Sequence, residues 1–344
     1  MRNSNLTSKS AAVSSQRRVL VSASCRDQLR GPIAAAPGAA GAVQLLALEE
    51  IVGDASAQVD AAFISRDITG LSTKHEIGGA LRDCYTVLRR SPRLAWVHTH
   101  SAGADRPIFA ELRARGVAVS TSSGANAQIV AHSALAGLLA LARRFPALLA
   151  AQARRQWAPL VGGPPPRDLA GQTAVLVGWG PIAQALQPLL AALGLRTVVV
   201  RRTAAPAAPG IESHGCERLR DVLPAADWLV LACPLTPGTR ELIGAEELRL
   251  LPPGAHLVNV ARGEVVVEAD LIEALRSGVL AGAFLDVFEH EPLSAESPLW
   301  TLPGVIVTPH SAGHSDGNAA RVAAMFVANL ERWLRGEALL NVVP

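Results

Sequence analysis

With 344 residues, 49% of them hydrophobic, and a mean hydropathy of +0.26, the chain is long enough for two domains with their own cores and too apolar to be disordered. Its formal charge of +3 comes from 32 cations and 29 acids spread along the chain, a balance that argues against a nucleic-acid or membrane footprint. Cys25, Cys84, Cys216 and Cys233 lie far apart with no C-x-x-C pair, and no uncharged apolar run reaches the roughly 18 residues of a membrane span, which argues against a disulfide framework, a metal site or a transmembrane helix and fits a reducing cytoplasm.

No acid precedes Asp27, and residues 1–17 are polar and aperiodic; they read as a disordered leader outside any domain, with a transit peptide, which shares this composition, as the alternative. "AAAPGAAGA" (residues 34–42) is a small-residue loop. From Gln44 to Val119 short apolar segments such as "AAFIS" and "LAWVHTH" alternate with helical patterns, among them "PIFAELRARG", in which Gly116 suits the position after the last turn. That alternation predicts an α/β layer. Residues 127–157 read as one long helical stretch, apolar on most faces in its first half and therefore predicted to be buried between domains. After "GGPPP" (residues 162–166), strand candidates follow at 174–177, 197–200, 228–232, 256–259, 282–286 and 305–307. Helix-length segments separate the first five, which predicts parallel strands joined by right-handed crossovers in a doubly wound sheet, with ligands at the carboxyl ends of the strands. "AARVAAMFVANLERWLRGE" adds a closing amphipathic helix.

The stretch "LVGWGPIAQALQPLLAALGLRTVVVRRT", Leu176 to Thr203, carries the chemistry most openly. Gly178, Gly180 and Ala183 form G-x-G-x-x-A directly after an apolar strand and at the start of a helix, the context in which this pattern binds a dinucleotide. Gly178 permits the tight turn, Gly180 lets backbone approach a pyrophosphate, and Ala183 is small enough for close helix packing; the helix N-terminus that opens on Pro181 and Ile182 offers free N–H groups to the phosphates. An acid that accepts the ribose hydroxyls is expected roughly 20 residues later. Arg201, Arg202 and Thr203 stand there instead. Guanidinium groups bind a 2′-phosphate by charge-assisted hydrogen bonds, so this strand end predicts NADP(H) in preference to NAD(H), with NAD(H) still possible.

Further motifs follow in order: "HTHSAGADRPIFAELRARGVAVSTSSGANA", "CPLTPGTRELIGAEELRLLPPGAHLVNVARGEVVVEADLIEAL", "AGAFLDVFEHEPL", "SPLWTLPGVIVTPHSAG" and "RWLRGEALLNVV". With the Gly-rich turn, and from about residue 94 onward, they resemble the D-isomer-specific 2-hydroxyacid dehydrogenase family, and within it the glyoxylate and hydroxypyruvate reductase branch. The resemblance implies an α/β fold of two Rossmann-like domains with doubly wound parallel sheets. A discontinuous substrate-binding domain, residues 18–123 plus 312–344, surrounds an inserted dinucleotide-binding domain, residues 124–311, with a cleft that closes over the substrate. It also implies a homodimer packed through the cofactor domains, with the arm around residues 152–166 and Trp157 as the dimer element.

Carried over by motif, the resemblance implies Arg262 in "NVARG", Glu291 in "DVFEHEP" and His310 in "TPHSAG" as the catalytic group for hydride reduction of a small 2-keto acid. Arg262 holds the carboxylate and carbonyl oxygen, His310 gives the proton, and Glu291 orients its ring. The backbone N–H groups of Ala102 and Gly103 are implied for the substrate carboxylate, Asp286 and the Ala261 backbone for the nicotinamide amide, and Cys233, Pro234 and Thr239 for the cofactor groove. Two departures from the family pattern stand out: Ala131 replaces the acid that often precedes the interdomain histidine, here His132, and Ala183 replaces the third glycine. The alternatives are a cofactor-sensing scaffold of the same fold without catalysis, or a dehydrogenase acting on formate, phosphite or phosphoglycerate.

Overall fold

The computed structural model describes residues 16–54, 56 and 58–344. Residues 1–15, which hold most of the expected leader, lie outside the described residues, and Arg17 already opens a strand. The chain divides into two compact units. One gathers the described residues up to Ser72 with Ile77–Ser122 and Val322–Pro344, and the other gathers Thr73–Glu76 with Ser123–Arg321.

The first unit is a five-stranded parallel sheet of β1 (Arg17–Val21), β2 (Val43–Ala47), β3 (Ala61–Ile64), β4 (Trp96–Thr99) and β5 (Ala118–Thr121), in the order β2-β1-β3-β4-β5. The strands "AAFI" and "WVHT" are buried throughout, as parallel strands covered on both faces must be. The sequence reading begins this layer at Gln44 and misses β1, because "RRVLV" opens on two arginines directly after a polar stretch. Gly116 ends the helix Pro107–Ala114 with a φ of +80°, and the Val117 N–H closes back on the Leu112 carbonyl at 3.0 Å, a left-handed terminus that glycine adopts without strain.

A polar chain runs through this core. Trp96 Nε1 donates to Ser120 Oγ at 2.8 Å, His98 Nδ1 meets the same hydroxyl at 2.8 Å, and His98 Nε2 meets Ser122 Oγ at 3.0 Å. The Ser122 hydroxyl gives its proton to the Thr99 carbonyl at 3.0 Å, so His98 must donate from Nε2 and accept from Ser120 at Nδ1. Burial pushes His98 down to about 3, helped by the charge of His100, and every polar atom of the neutral ring is satisfied. Around it Phe63 and Trp96 stack on Phe326, at 4.6 and 5.5 Å between ring centres.

The second unit is a seven-stranded parallel sheet: β6 (Thr173–Val177), β7 (Arg196–Arg201), β8 (Glu212–Gly215), β9 (Trp228–Leu231), β10 (His256–Asn259), β11 (Gly282–Leu285) and β12 (Val305–Val307), ordered β12-β11-β10-β9-β6-β7-β8. All six strand candidates of this region are present. β8, "ESHG", was missed because it is a short polar edge strand with no apolar alternation. Successive strand residues feed opposite cores, Val175, Val198 and Leu229 on one face and Leu176, Val199 and Val230 on the other. The chain winds outward from β6 through β7 and β8, then returns to lay β9 on the other side of β6. The reversal between β6 and β9 is the switch point where such sheets bind ligands, at the carboxyl ends of the strands.

The long helical stretch expected over residues 127–157 is two helices, Ala127–Ala142 and Phe145–Ala153, bent by 73°. Pro146 forces the break: it has no N–H for a continuing helix, and its ring would collide with the carbonyl one turn earlier. Arg144 takes up the bend with a φ of +56°. The first helix lies flat on the sheet at Gly137, where a Cβ would stand 2.3 Å from the Phe284 ring. From the second helix onward, Phe145, Leu149, Trp157 and Val161 are exposed, Trp157 at 96%. Among the described residues no single helix is long and apolar enough to cross a membrane.

Candidate active site

Gly178 follows β6 at the switch point. Its φ is +103°, and a Cβ there would stand 2.8 Å from the Ala232 carbonyl oxygen and 2.9 Å from Cys233 Cα, so glycine is required by both the backbone and the close approach of the turn after β9. Gly180 caps the helix Pro181–Ala192 with open space where a Cβ would lie. Gln184 is the first helix residue whose N–H reaches a carbonyl, that of Gly180, and no side chain caps this terminus. Two free backbone donors, the N–H groups of Ile182 and Ala183, therefore face that open space. Ala183 is fully buried. These features fit the diphosphate of a dinucleotide.

Arg201 ends β7, and one of its nitrogens reaches the Pro206 carbonyl at 3.3 Å; Arg202 and Thr203 are exposed. No acid pairs with either arginine among the described residues. On the far side of the turn Cys233 is buried, and burial raises its thiol to about 11, which makes it a wall and not a nucleophile. Pro234 is exposed, and its carbonyl accepts the Thr239 hydroxyl at 2.7 Å, so Thr239 shapes the loop 234–239.

Arg262 stands just past β10. Asn259 holds its turn from both sides, accepting the Ala261 N–H at 3.0 Å and donating to the Arg262 carbonyl at 3.1 Å, while an Arg262 guanidinium nitrogen reaches the Ala261 carbonyl at 2.7 Å. The next residue, Gly263, touches the backbone of Phe288 and Glu289 so closely that a Cβ would lie 1.8 Å from the Phe288 carbonyl carbon. That contact brings the arginine turn against the segment leading to Glu291.

Glu291 and His310 are brought together directly, with His310 Nδ1 2.8 Å from Glu291 Oε2, while Glu291 Oε1 accepts the Phe288 N–H at 3.1 Å. A carboxylate only accepts, so Nδ1 carries the hydrogen and Nε2 is left facing outward on a half-exposed ring. Burial by itself pushes the Glu291 carboxyl up, but the His310 hydrogen bond and charge, the Phe288 N–H and the Lys74 ammonium bring it below its ordinary value. His310 has a φ of +49°, an uncommon conformation for a residue with a side chain. Asp286, just past β11, holds it there: its carboxylate accepts the Thr308 hydroxyl at 2.6 Å and the Ser311 and Ala312 N–H groups at 2.8 and 3.0 Å, and its carbonyl accepts the His310 N–H at 2.8 Å. Burial raises the Asp286 carboxyl despite those donors and the charge of His310.

In the first unit, the N–H groups of Ala102 and Gly103 follow β4 in an irregular loop, and no protein acceptor takes them among the described residues. Sequence reasoning missed Lys74 and His75. Lys74 Nζ lies 2.7 and 2.9 Å from the two carboxylate oxygens of Glu264, two residues after Arg262, and His75 Nδ1 is 3.5 Å from the Glu291 carbonyl. No local signal marks them, since both partners lie far along the chain.

Residues 135–312 match the model of the family described as D-isomer specific 2-hydroxyacid dehydrogenase, NAD binding domain. The chain is 35% identical to a glyoxylate reductase of Thermococcus gammatolerans over 79% of its own length and 81% of that protein's. It is 37% identical to an (S)-sulfolactate dehydrogenase of Chromohalobacter salexigens, over 72% and 80%. Its fold superposes with a TM-score of 0.75 on a D-isomer specific 2-hydroxyacid dehydrogenase from Xanthobacter autotrophicus Py2 solved with NADPH and MES, 32% identical and covering 96% of this chain and 98% of that one.

Proposed function

The chain belongs to the D-isomer specific 2-hydroxyacid dehydrogenase family, an oxidoreductase family, and on that premise we propose that it reduces a small 2-keto acid of the glyoxylate and hydroxypyruvate type to the D-2-hydroxy acid, with NADP(H) preferred and NAD(H) possible. The observation that carries this reading is the pairing of His310 Nδ1 with Glu291 at 2.8 Å, which leaves Nε2 available as a proton donor.

When bound, the cofactor supplies the hydride. Arg262 presents a planar fork of donors that matches a carboxylate and an adjacent carbonyl oxygen. The free N–H groups of Ala102 and Gly103 receive the carboxylate in this reading. The Nε2–H of the imidazolium moves to the carbonyl oxygen as charge develops there, and the ring ends neutral, still held through Nδ1 by Glu291. With its carboxyl held below the ordinary carboxylate range, Glu291 keeps the Nδ1 hydrogen bond as a carboxylate and fixes the ring throughout the transfer. Asp286 keeps the His310 turn in place and has acceptor capacity left for the nicotinamide amide. The two free N–H groups at Ile182 and Ala183 support the diphosphate, and Arg201, Arg202 and Thr203 the 2′-phosphate.

A steady-state panel of glyoxylate, hydroxypyruvate, pyruvate, longer 2-keto acids and the keto counterpart of sulfolactate, each with NADPH and NADH, tests the reading. The expected result is the highest kcat/KM for glyoxylate or hydroxypyruvate with NADPH. No turnover of any 2-keto acid would leave the cofactor-sensing scaffold in its place.

The protein is read as a cytoplasmic homodimer. Phe145, Leu149, Trp157 and Val161 form an apolar face on the bent arm, beside a groove of about 540 Å³ lined by Leu148, Ala151, Arg155 and Trp157. Such a face marks an interaction site. Light scattering at micromolar concentration is expected to give twice the 35.9 kDa chain mass, and Leu149→Glu with Trp157→Glu to give monomers. A monomeric wild type removes the dimer.

A further inference from the structure

The four residues Thr73–Glu76 belong to the second unit although the chain on either side of them belongs to the first. They form a self-held turn: the Thr73 N–H donates to the Glu76 carbonyl at 2.9 Å, and the Thr73 hydroxyl accepts the N–H groups of His75 and Glu76 at 3.2 and 3.0 Å. Lys74 grips both carboxylate oxygens of Glu264, and the two side chains are only 22% and 12% exposed. Glu264 is in turn fixed by its backbone, whose carbonyl accepts the Glu241 N–H at 2.7 Å. One residue along, His75 meets the Glu291 carbonyl at 3.5 Å, and its ring lies 4.6 Å from that of His290.

The turn therefore touches two places at once. One is two residues from Arg262, and the other is Glu291 itself. Between them Gly263 already presses on Phe288 and Glu289. We propose that Thr73–Glu76 is a clip that fixes the spacing between Arg262 and the His310–Glu291 pair, with Lys74 as its positioning residue acting through Glu264. The proposal rests on the reductase reading for its catalytic consequence, though not for its structural one. Lys74 reaches neither proton nor hydride in this role, and beyond its charge helping to hold the Glu291 carboxyl low it acts by position. Its effect is on geometry, and a misplacement of about 1 Å between a substrate anchor and a proton donor costs as much as a hundredfold in rate. The partly buried, bidentate ion pair makes the clip sensitive to loss of either partner, because either change removes both Nζ–carboxylate contacts.

Lys74→Met, Glu264→Gln, the double variant and Lys74→Arg are compared with the wild type in kcat/KM for glyoxylate and in amide hydrogen exchange at Val265, Val266 and Phe288. Each single variant is expected to lose about 10- to 100-fold in kcat/KM, the double variant to lose no more than either single, and Lys74→Arg, which keeps a bidentate cation, to recover most of it. Exchange at the three amides is expected to quicken in Lys74→Met and Glu264→Gln while the strands of the sheet keep their protection. Losses that add in the double variant, failure of Lys74→Arg to recover, or unchanged exchange would each overturn the clip. A wild type that turns over no 2-keto acid overturns the reductase reading alone, and the clip is then decided by the exchange rates.

Discussion

Replacing His310 by glutamine is expected to lower kcat for the keto acid by about 10²- to 10⁴-fold, the usual contribution of a positioned general acid, with NADPH binding kept near the wild-type level. Glutamine preserves length and one hydrogen bond, so the turn around Asp286 keeps its three donors from Thr308, Ser311 and Ala312. What it loses is the Nε2 proton. The Gly-rich turn and the free N–H groups of the helix Pro181–Ala192 are untouched, and NADPH fluorescence titration should report this. Single-turnover kinetics in parallel would show the loss in the chemical step. A variant that keeps about half of the wild-type kcat removes His310 from the mechanism.

The motifs single out the three residues of the proposed catalytic group but not what holds them. Arg262, Glu291 and His310 are reached through the resemblance, by the motifs "NVARG", "DVFEHEP" and "TPHSAG", each of which follows an apolar strand. Asp286 was legible as a site residue, yet its grip on residues 308–312 depends on a left-handed backbone at His310 that no residue type predicts. Gly263 looked like part of a motif, and only the backbone of Phe288 shows why a side chain is excluded there. Lys74 was invisible, since an ion pair between distant segments leaves no periodicity. The fold followed the same division. Buried strands such as "HLVN" and "GAFL" were legible by their apolar runs, whereas the polar edge strand β8 and the arginine-headed β1 were not. The break at Pro146 had a signal, and apolar periodicity on both sides concealed it.

Arg201→Asp combined with Arg202→Ala is expected to lower kcat/KM for NADPH by about ten- to a hundredfold and to spare or improve the value for NADH. A charge-assisted hydrogen bond is worth roughly 1.5–3 kcal/mol, and each 1.4 kcal/mol is about tenfold in affinity. Both arginines are at least partly open to water, so screening places the result toward the lower end. Arg201 spends one donor on the Pro206 carbonyl, and no acid competes for the rest among the described residues. The new aspartate would accept the ribose hydroxyls and repel a 2′-phosphate. The wild-type preference for NADPH should also weaken as salt rises, because exposed charges are screened. A wild type that prefers NADH at fixed ionic strength sinks the assignment.

The first unit draws Phe326 into a core whose other rings, Phe63 and Trp96, come from far earlier in the chain. During synthesis this has a definite order. β1 to β5 leave the ribosome with the face around Trp96 uncovered, and the whole of Ser123–Arg321 is made before the residue that covers it. The second unit, continuous from Ser123 apart from the short turn Thr73–Glu76 made earlier, has every strand it needs by Val307 and is free to close first. The discontinuous one waits, carrying an apolar surface that a chaperone or a neighbouring nascent chain can reach.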